Sequence, residues 1–226
     1  MSAADVEWRV EAEPLAYRAA VAKMEERARR VRTGEATELV WLLEHPPVVT
    51  AGTSARLADL VAPGRFPLEP SGRGGQLTYH GPGQRVVYVV LDLARRGRDV
   101  RRFVSSLEEW AIAALALLGL PARRDPRGTG VWVGEAGAPR KIGSIGVRVT
   151  RWVSLHGMAI NVTTDLSAFE AIVACGIADA LPARLIDHLP QAGMAALDDA
   201  LARTFPAFLA RLCPDATRLE AADHSV

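Results

Sequence analysis

Two side chains stand where their type is hard to explain by packing or charge alone. Cys175 lies in Ala174-Cys175-Gly176, at the end of a short apolar helical stretch, where a turn can present a side chain. A thiol reacts as the thiolate, so a reactive cysteine needs a neighbouring cation or base. Lys141 is one of only two lysines, with Lys23, in a chain that carries 25 arginines. Arginine keeps its proton near neutral pH, whereas a lysine amine can give one up. Arg140 already supplies a charge beside it, so a deprotonable amine is one reason for lysine at 141. Each has a plainer reading. Free thiols are most often buried packing groups, and Lys23, on an ordinary helical face, shows that the arginine bias is not absolute. Cys213, at an Arg-Leu-Cys-Pro helix end, reads as packing.

A third feature is the run Arg73-Gly74-Gly75-Gln76-Leu77-Thr78-Tyr79-His80-Gly81-Pro82-Gly83-Gln84. Glycines let backbone approach a ligand closely, but the run lacks both the Gly-Lys-Ser/Thr ending of a phosphate loop and the strand-to-helix order of a dinucleotide fingerprint. Either it is a tight hairpin, or Arg73, Gln76, Tyr79 and His80 make it a loop that faces a ligand. His156-Gly157 interrupts an apolar strand, as a residue facing a cleft or a satisfied core histidine would. No Gly-x-Ser-x-Gly elbow occurs. The histidines are scattered and the cysteines lack metal-ligand spacing.

These residues must be held by the elements around them. Residues 14–31 have helical periodicity, closed by Gly34. Residues 38–43 and 48–51 read as strands, 54–72 as an irregular loop, and 86–93 as a strand buried on both faces. Asp99 caps a helix to about Leu118. Residues 130–133, 141–149 and 152–162 read as strands. Asp165 and Ser167 open a short helix, and 191–212 form the last one. The expectation is one α+β domain over residues 1–226, a mixed sheet with flanking helices, its core roughly residues 12–213.

Composition bounds the partners. The 27 basic and 26 acidic residues leave a net charge of +1, which argues against nucleic acid. No apolar run approaches the roughly 20 residues of a membrane span, and no secretory signal is visible. With two cysteines and no disulfide framework, a reducing cytoplasmic setting is expected.

The motifs, taken together, resemble the octanoyltransferases. After the run 73–84 come Gly130-Val-Trp-Val133, Lys141-Ile-Gly-Ser-Ile-Gly-Val147, His156-Gly-Met-Ala-Ile-Asn-Val162, Asp165-Leu-Ser167 and Ala174-Cys-Gly176, in that family's order over nearly the whole chain. The resemblance implies a fold like the catalytic domain of biotin and lipoate ligases. It implies a catalytic pair at Cys175 and Lys141, with an acyl-cysteine intermediate. Substrate contacts would fall on Arg73, Gly74, Gly75, Gln76, Leu77, Thr78, Tyr79 and His80, on Ser144, Ile145 and Gly146, and on Gly157, Met158 and Ala159, with His156 and Asn161 in support. The implied donor is octanoyl-acyl carrier protein. The implied acceptors are lipoyl domains of 2-oxoacid dehydrogenases and the glycine cleavage H protein. No cofactor is implied, because thioester to amide is downhill. Gly143 and Ile145 stand where many members carry Ala and Leu, and Leu155 where an aromatic is common. The alternatives are an ATP-dependent lipoate or biotin ligase on the same scaffold, or a non-catalytic acyl-carrier-binding module.

Overall fold

Apolar runs without polar alternation need cover on both faces, and three such runs form the centre of this protein. β2 (Glu38–Leu43), β6 (Gln84–Val90) and β10 (Val153–Asn161) are buried at every position. The computed structural model describes residues 5–135, 137–176 and 181–213; of Cys175 it gives the backbone but not the side chain. The three strands lie side by side in a seven-stranded sheet, extended by β1 (Val6–Val10) at one edge and by β9 (Arg140–Thr150), β8 (Gly128–Val133) and β7 (Arg123–Asp125) at the other. The order is β1-β2-β6-β10-β9-β8-β7. β1 runs parallel to β2 and the other pairings are antiparallel.

Each face is covered by the helical stripe its residues predict. α1 (Tyr17–Thr33) lays Ala20, Met24, Ala28 and Val31 on Leu39, Trp41, Leu43, Val86 and Val90. α2 (Val100–Leu117) and α3 (Met194–Leu212) cover the other face, where Trp110 and Phe208 stack at 4.7 Å between centroids over Val40, Leu42, Val87 and Val89. A second sheet of three strands, β4 (Leu68–Pro70), β3 (Val48–Ala51) and β5 (Leu77–His80), stands beside the first.

Several sequence expectations shift. The helix expected over 14–31 begins at Tyr17, because the amides of Glu11 and Leu15 bond outward to Leu42 O and Glu44 O, both at 2.9 Å. The extended chain before α1 is therefore committed to β2. Residues 54–72 are not wholly irregular: Leu68–Pro70 pairs in parallel with β3. The glycine-rich run is not a hairpin, since β5 and β6 belong to different sheets and Gly81-Pro82-Gly83 carries the chain between them. Trp152 leaves its expected strand for a left-handed turn at φ 67°. β1 and β7, short edge strands with mixed polarity, carry no clear periodic signal. Cys213 closes α3 as an exposed residue rather than a packed one.

One buried ion pair fixes the sheet to the connection that follows β6. Arg96 holds Glu38 in a two-point grip, Nη1 to Oε1 and Nη2 to Oε2 both at 2.6 Å, and Asp92 N donates to the same carboxylate at 2.7 Å. Their side chains are 3% and 5% exposed. Breaking such a pair on one side leaves a charge buried without compensation, at a cost of about 3–5 kcal/mol. Arg96→Ala is expected to lose that much stability in urea denaturation at pH 7. A loss below about 1 kcal/mol would show that water reaches Glu38.

Candidate active site

The two sheets leave a cavity of about 420 Å³ between them, on the α1 side of the large sheet. β9 contributes Ser144, Ile145 and Gly146, and β10 contributes His156, Gly157, Met158 and Ala159. These face one another across the ladder, with Ser144 opposite Ala159 and Gly146 opposite Gly157. The glycine-rich run supplies Arg73, Gly75, Gln76, Thr78 and His80, and Lys141 lies in the same wall. The strand period divides β5: Thr78 and His80 face the cavity, whereas Leu77 and Tyr79 turn into a separate apolar cluster with Ala168, Ala171 and Ile172. Gly74 is also outside the lining and bonds through its amide to Val147 O at 2.9 Å.

Cys175 occupies a short helical turn, Ala174–Gly176, and its side chain lies outside the described residues. Its neighbour Gly176 lines the cavity at φ 68°. A Cβ at 176 would run into the Gln76 amide, so this glycine lets Gln76 lie directly on the Cys-Gly turn.

Lys141 is buried, 8% exposed, and Nζ donates to Thr129 O at 2.9 Å. The amine lies 5.4 Å from the Trp132 ring centre, within cation–π range. Gly130 makes this possible. A Cβ there would stand 2.5 Å from Lys141 Cε and 2.6 Å from Gly143 O, and φ is 140°. The backbone of Lys141 is fixed as well, its N–H donating to Leu181 O and its carbonyl accepting from Ala183 N, both at 2.9 Å.

Sequence reasoning missed the inner end of the cavity. Tyr17 and Tyr88 line it, with His45 behind them. His45 Nδ1 faces Leu15 O at 2.7 Å and must donate, so Nε2, 2.9 Å from the Tyr88 hydroxyl, must accept. Tyr17 donates to Ser71 Oγ at 2.6 Å and stacks on His80. His156 takes a left-handed φ of 61°, which breaks the β10 alternation and brings its ring edge-on to Tyr88. A polar residue inside an apolar strand was the only signal. Tyr17 and Tyr88 gave none, because an aromatic on a core face looks like packing.

Burial sets the electrostatics of this end. It lowers His80 and His156 to about 3, in each case before the smaller repulsion of neighbouring groups such as Arg73, and it pushes Tyr88 well above its ordinary value. All three are neutral at physiological pH. The cations on the lining are Arg73, Arg127 and Lys141. Arg73 is bound to Thr50 O and Oγ1 and to Gly74 O, and Arg127 to Asp125 and Pro139 O. Among the described residues no carboxylate lines the cavity. A space so built favours an anion forming inside it.

Residues 16–210 match the lipoyl protein ligase A/B catalytic domain. The chain belongs to that family. Within it, an octanoyltransferase from Rhizorhabdus wittichii is 54% identical over 92% of this chain and 93% of its own length. That likeness puts the chain among the octanoyltransferases and makes it an acyltransferase. The fold extends across the family and beyond it. A bi-partite lipoate protein ligase from Thermoplasma acidophilum superposes with a TM-score of 0.73 at 20% identity, covering 91% of this chain and 84% of that one. A biotin protein ligase from Aquifex aeolicus gives 0.50 at 10%, covering 92% and 69%. The α+β mixed sheet expected from the motifs is therefore the ligase-type fold. Among the described residues no helix is long and apolar enough to cross a membrane.

The buried imidazoles make stability depend on pH with a definite sign. Unfolded, His80 and His156 would titrate near 6.5; folded, they titrate at about 3. Between these values the unfolded chain binds more protons, so stability falls as pH drops from 6.5 toward about 3 and loses nothing more from these groups below that. Denaturation midpoints across that window should decline less steeply for a His80→Gln, His156→Gln double variant than for the parent. Parallel slopes would show that neither ring is held neutral.

Proposed function

We propose that this acyltransferase moves an octanoyl group from an acyl carrier protein thioester to a lysine amine of a lipoyl domain, through an acyl-Cys175 intermediate. The observation that carries the reading is the placement of Lys141 in a cavity that no carboxylate among the described residues lines, and whose lining also includes Gly176, the residue next to Cys175. The Cys175 thiolate attacks the donor carbonyl, the carbonyl oxygen takes the charge, and collapse expels the carrier thiolate, which takes a proton from Lys141 and leaves as the thiol, so that Lys141 enters the second half as the free amine. A cationic Lys141 favours thiolate and oxyanion alike. In the second half the acceptor amine attacks acyl-Cys175, Lys141 in its neutral form takes the proton the amine must lose, and Cys175 leaves as the thiolate. Met158, Ala159, Ile145 and the glycine-rich run provide an apolar and close-fitting channel for the chain of the acyl group.

The cytoplasm, where carrier-bound acyl chains and lipoyl domains meet, is the proposed setting, and one catalytic domain the proposed organisation. Incubation with an octanoyl thioester should add the mass of one octanoyl group, mapped to Cys175 by peptide mass spectrometry. Cys175→Ser should lose both the adduct and turnover, while Cys213→Ser, altering an exposed helix end, should keep both. An adduct on Cys213, or turnover that requires free octanoate and ATP, would overturn the reading.

A further inference from the structure

A buried chain of hydrogen bonds leads from the cavity to the backbone of Lys141, and its polarity can be worked out from its ends. Asn161 lies 2.9 Å from Ala183 O. A carbonyl only accepts, so the Asn161 amide nitrogen must face it, leaving Oδ1 toward Gln84. Gln84 Nε2 donates to that Oδ1 at 2.9 Å and to Tyr79 O at 3.2 Å. Two acceptors fix the Gln84 amide, so Oε1 is the atom that faces His80 Nδ1 at 2.6 Å. His80 Nδ1 must therefore carry the proton. Its other nitrogen, Nε2, has no hydrogen-bond partner among the described residues, and the ring lines the cavity. Gln84 and Asn161 are 2% and 5% exposed, and neither is part of the lining.

We propose that Gln84 and Asn161 are positioning residues that hold His80 as the Nδ1–H tautomer, so that Nε2 is presented to the cavity as an acceptor for the N–H of the incoming amine. The identity of that amine rests on the reading of the chain as an octanoyltransferase acting on lysine; the tautomer does not. The ring stays neutral because burial lowers it to about 3, so its free lone pair persists at the pH where an amine must be received. The same Asn161 also secures residues 181–183, whose Leu181 O and Ala183 N hold both backbone groups of Lys141. One side chain thus sets the facing of the acceptor group and the footing of the proton-transfer group together. The tautomer of a histidine is decided by what its other nitrogen bonds to, and a wrong tautomer disables an imidazole that is otherwise in place.

The test is long-range proton–nitrogen NMR on histidine-labelled protein at pH 7, without substrate, for the parent, Gln84→Glu, Gln84→Met and Asn161→Leu. His80 should be protonated on Nδ1 in the parent. Gln84→Glu, whose protonated carboxyl offers both an acceptor toward His80 Nδ1 and a donor toward Asn161 Oδ1, should retain that state. Gln84→Met and Asn161→Leu should lose it, with circular dichroism confirming that they fold. In single-turnover assays these two should transfer acyl from the enzyme to an acceptor amine at least about tenfold more slowly, with KM for the thioester donor unchanged and with Gln84→Glu closer to the parent. A parent protonated on Nε2, or a Gln84→Met protein with the parent tautomer, would overturn the lock. A changed tautomer with the parent transfer rate would overturn the role of Nε2. Failure of the parent to be acylated at all would count against the proposed reaction and leave the tautomer result standing.

Discussion

An amine kept inside a protein needs room for its stem and an acceptor for its head, and here both come from the adjoining strand. Gly130 leaves the room and Thr129 O is the acceptor. The strand β8 approaches Lys141 closely only because its residue 130 has no side chain and adopts a backbone conformation few L residues share. Residues 181–183 then grip the lysine backbone from the other side. The cavity brings this fixed amine into one lining with the facing ladder of β9 and β10.

The inner end of the cavity works by the opposite means. Lys141 is a cation admitted to the lining, whereas His80, His156 and Tyr88 are polar groups kept neutral by burial. Neutral rings offer hydrogen-bonding atoms without attracting a counter-ion, and their faces pack against apolar matter. The proposed reaction, which brings in a hydrocarbon chain at one step and an amine at the next, would benefit from such a surface. The left-handed backbone at His156 is part of the arrangement, because regular alternation would have sent that ring to another face.

What could be read from the sequence follows from how each residue acts. Runs such as 38–43 and the stripe of α1 announce themselves by periodicity, and Asp99 and Asp165 by the caps they form at Arg102 N and Ser167 N. Lys141 was visible because lysine is scarce in an arginine-rich chain. Tyr17, Tyr88 and His45 were invisible because their roles arise between elements distant in sequence; Tyr88 meets His45 across 43 positions. The separation of β5 from β6 was hidden for a related reason, since a glycine-rich turn between two strands has the same local chemistry whether it closes a hairpin or crosses to another sheet. The split of β5 into cavity-facing and core-facing residues becomes evident only once both partners of the strand are known.

The central claim is that Lys141 is present as lysine because its amine must lose and regain a proton. Arginine at 141 retains a cation but, with a pKa above about 12, cannot take that proton. Single-turnover mass spectrometry on Lys141→Arg separates the two halves of the reaction. The account predicts that acylation of Cys175 survives better in Lys141→Arg than in Lys141→Ala, while transfer from acyl-Cys175 to an acceptor lysine is lost in both. A Lys141→Arg protein that completes both halves near the parent rate would contradict it and leave Lys141 an electrostatic role alone.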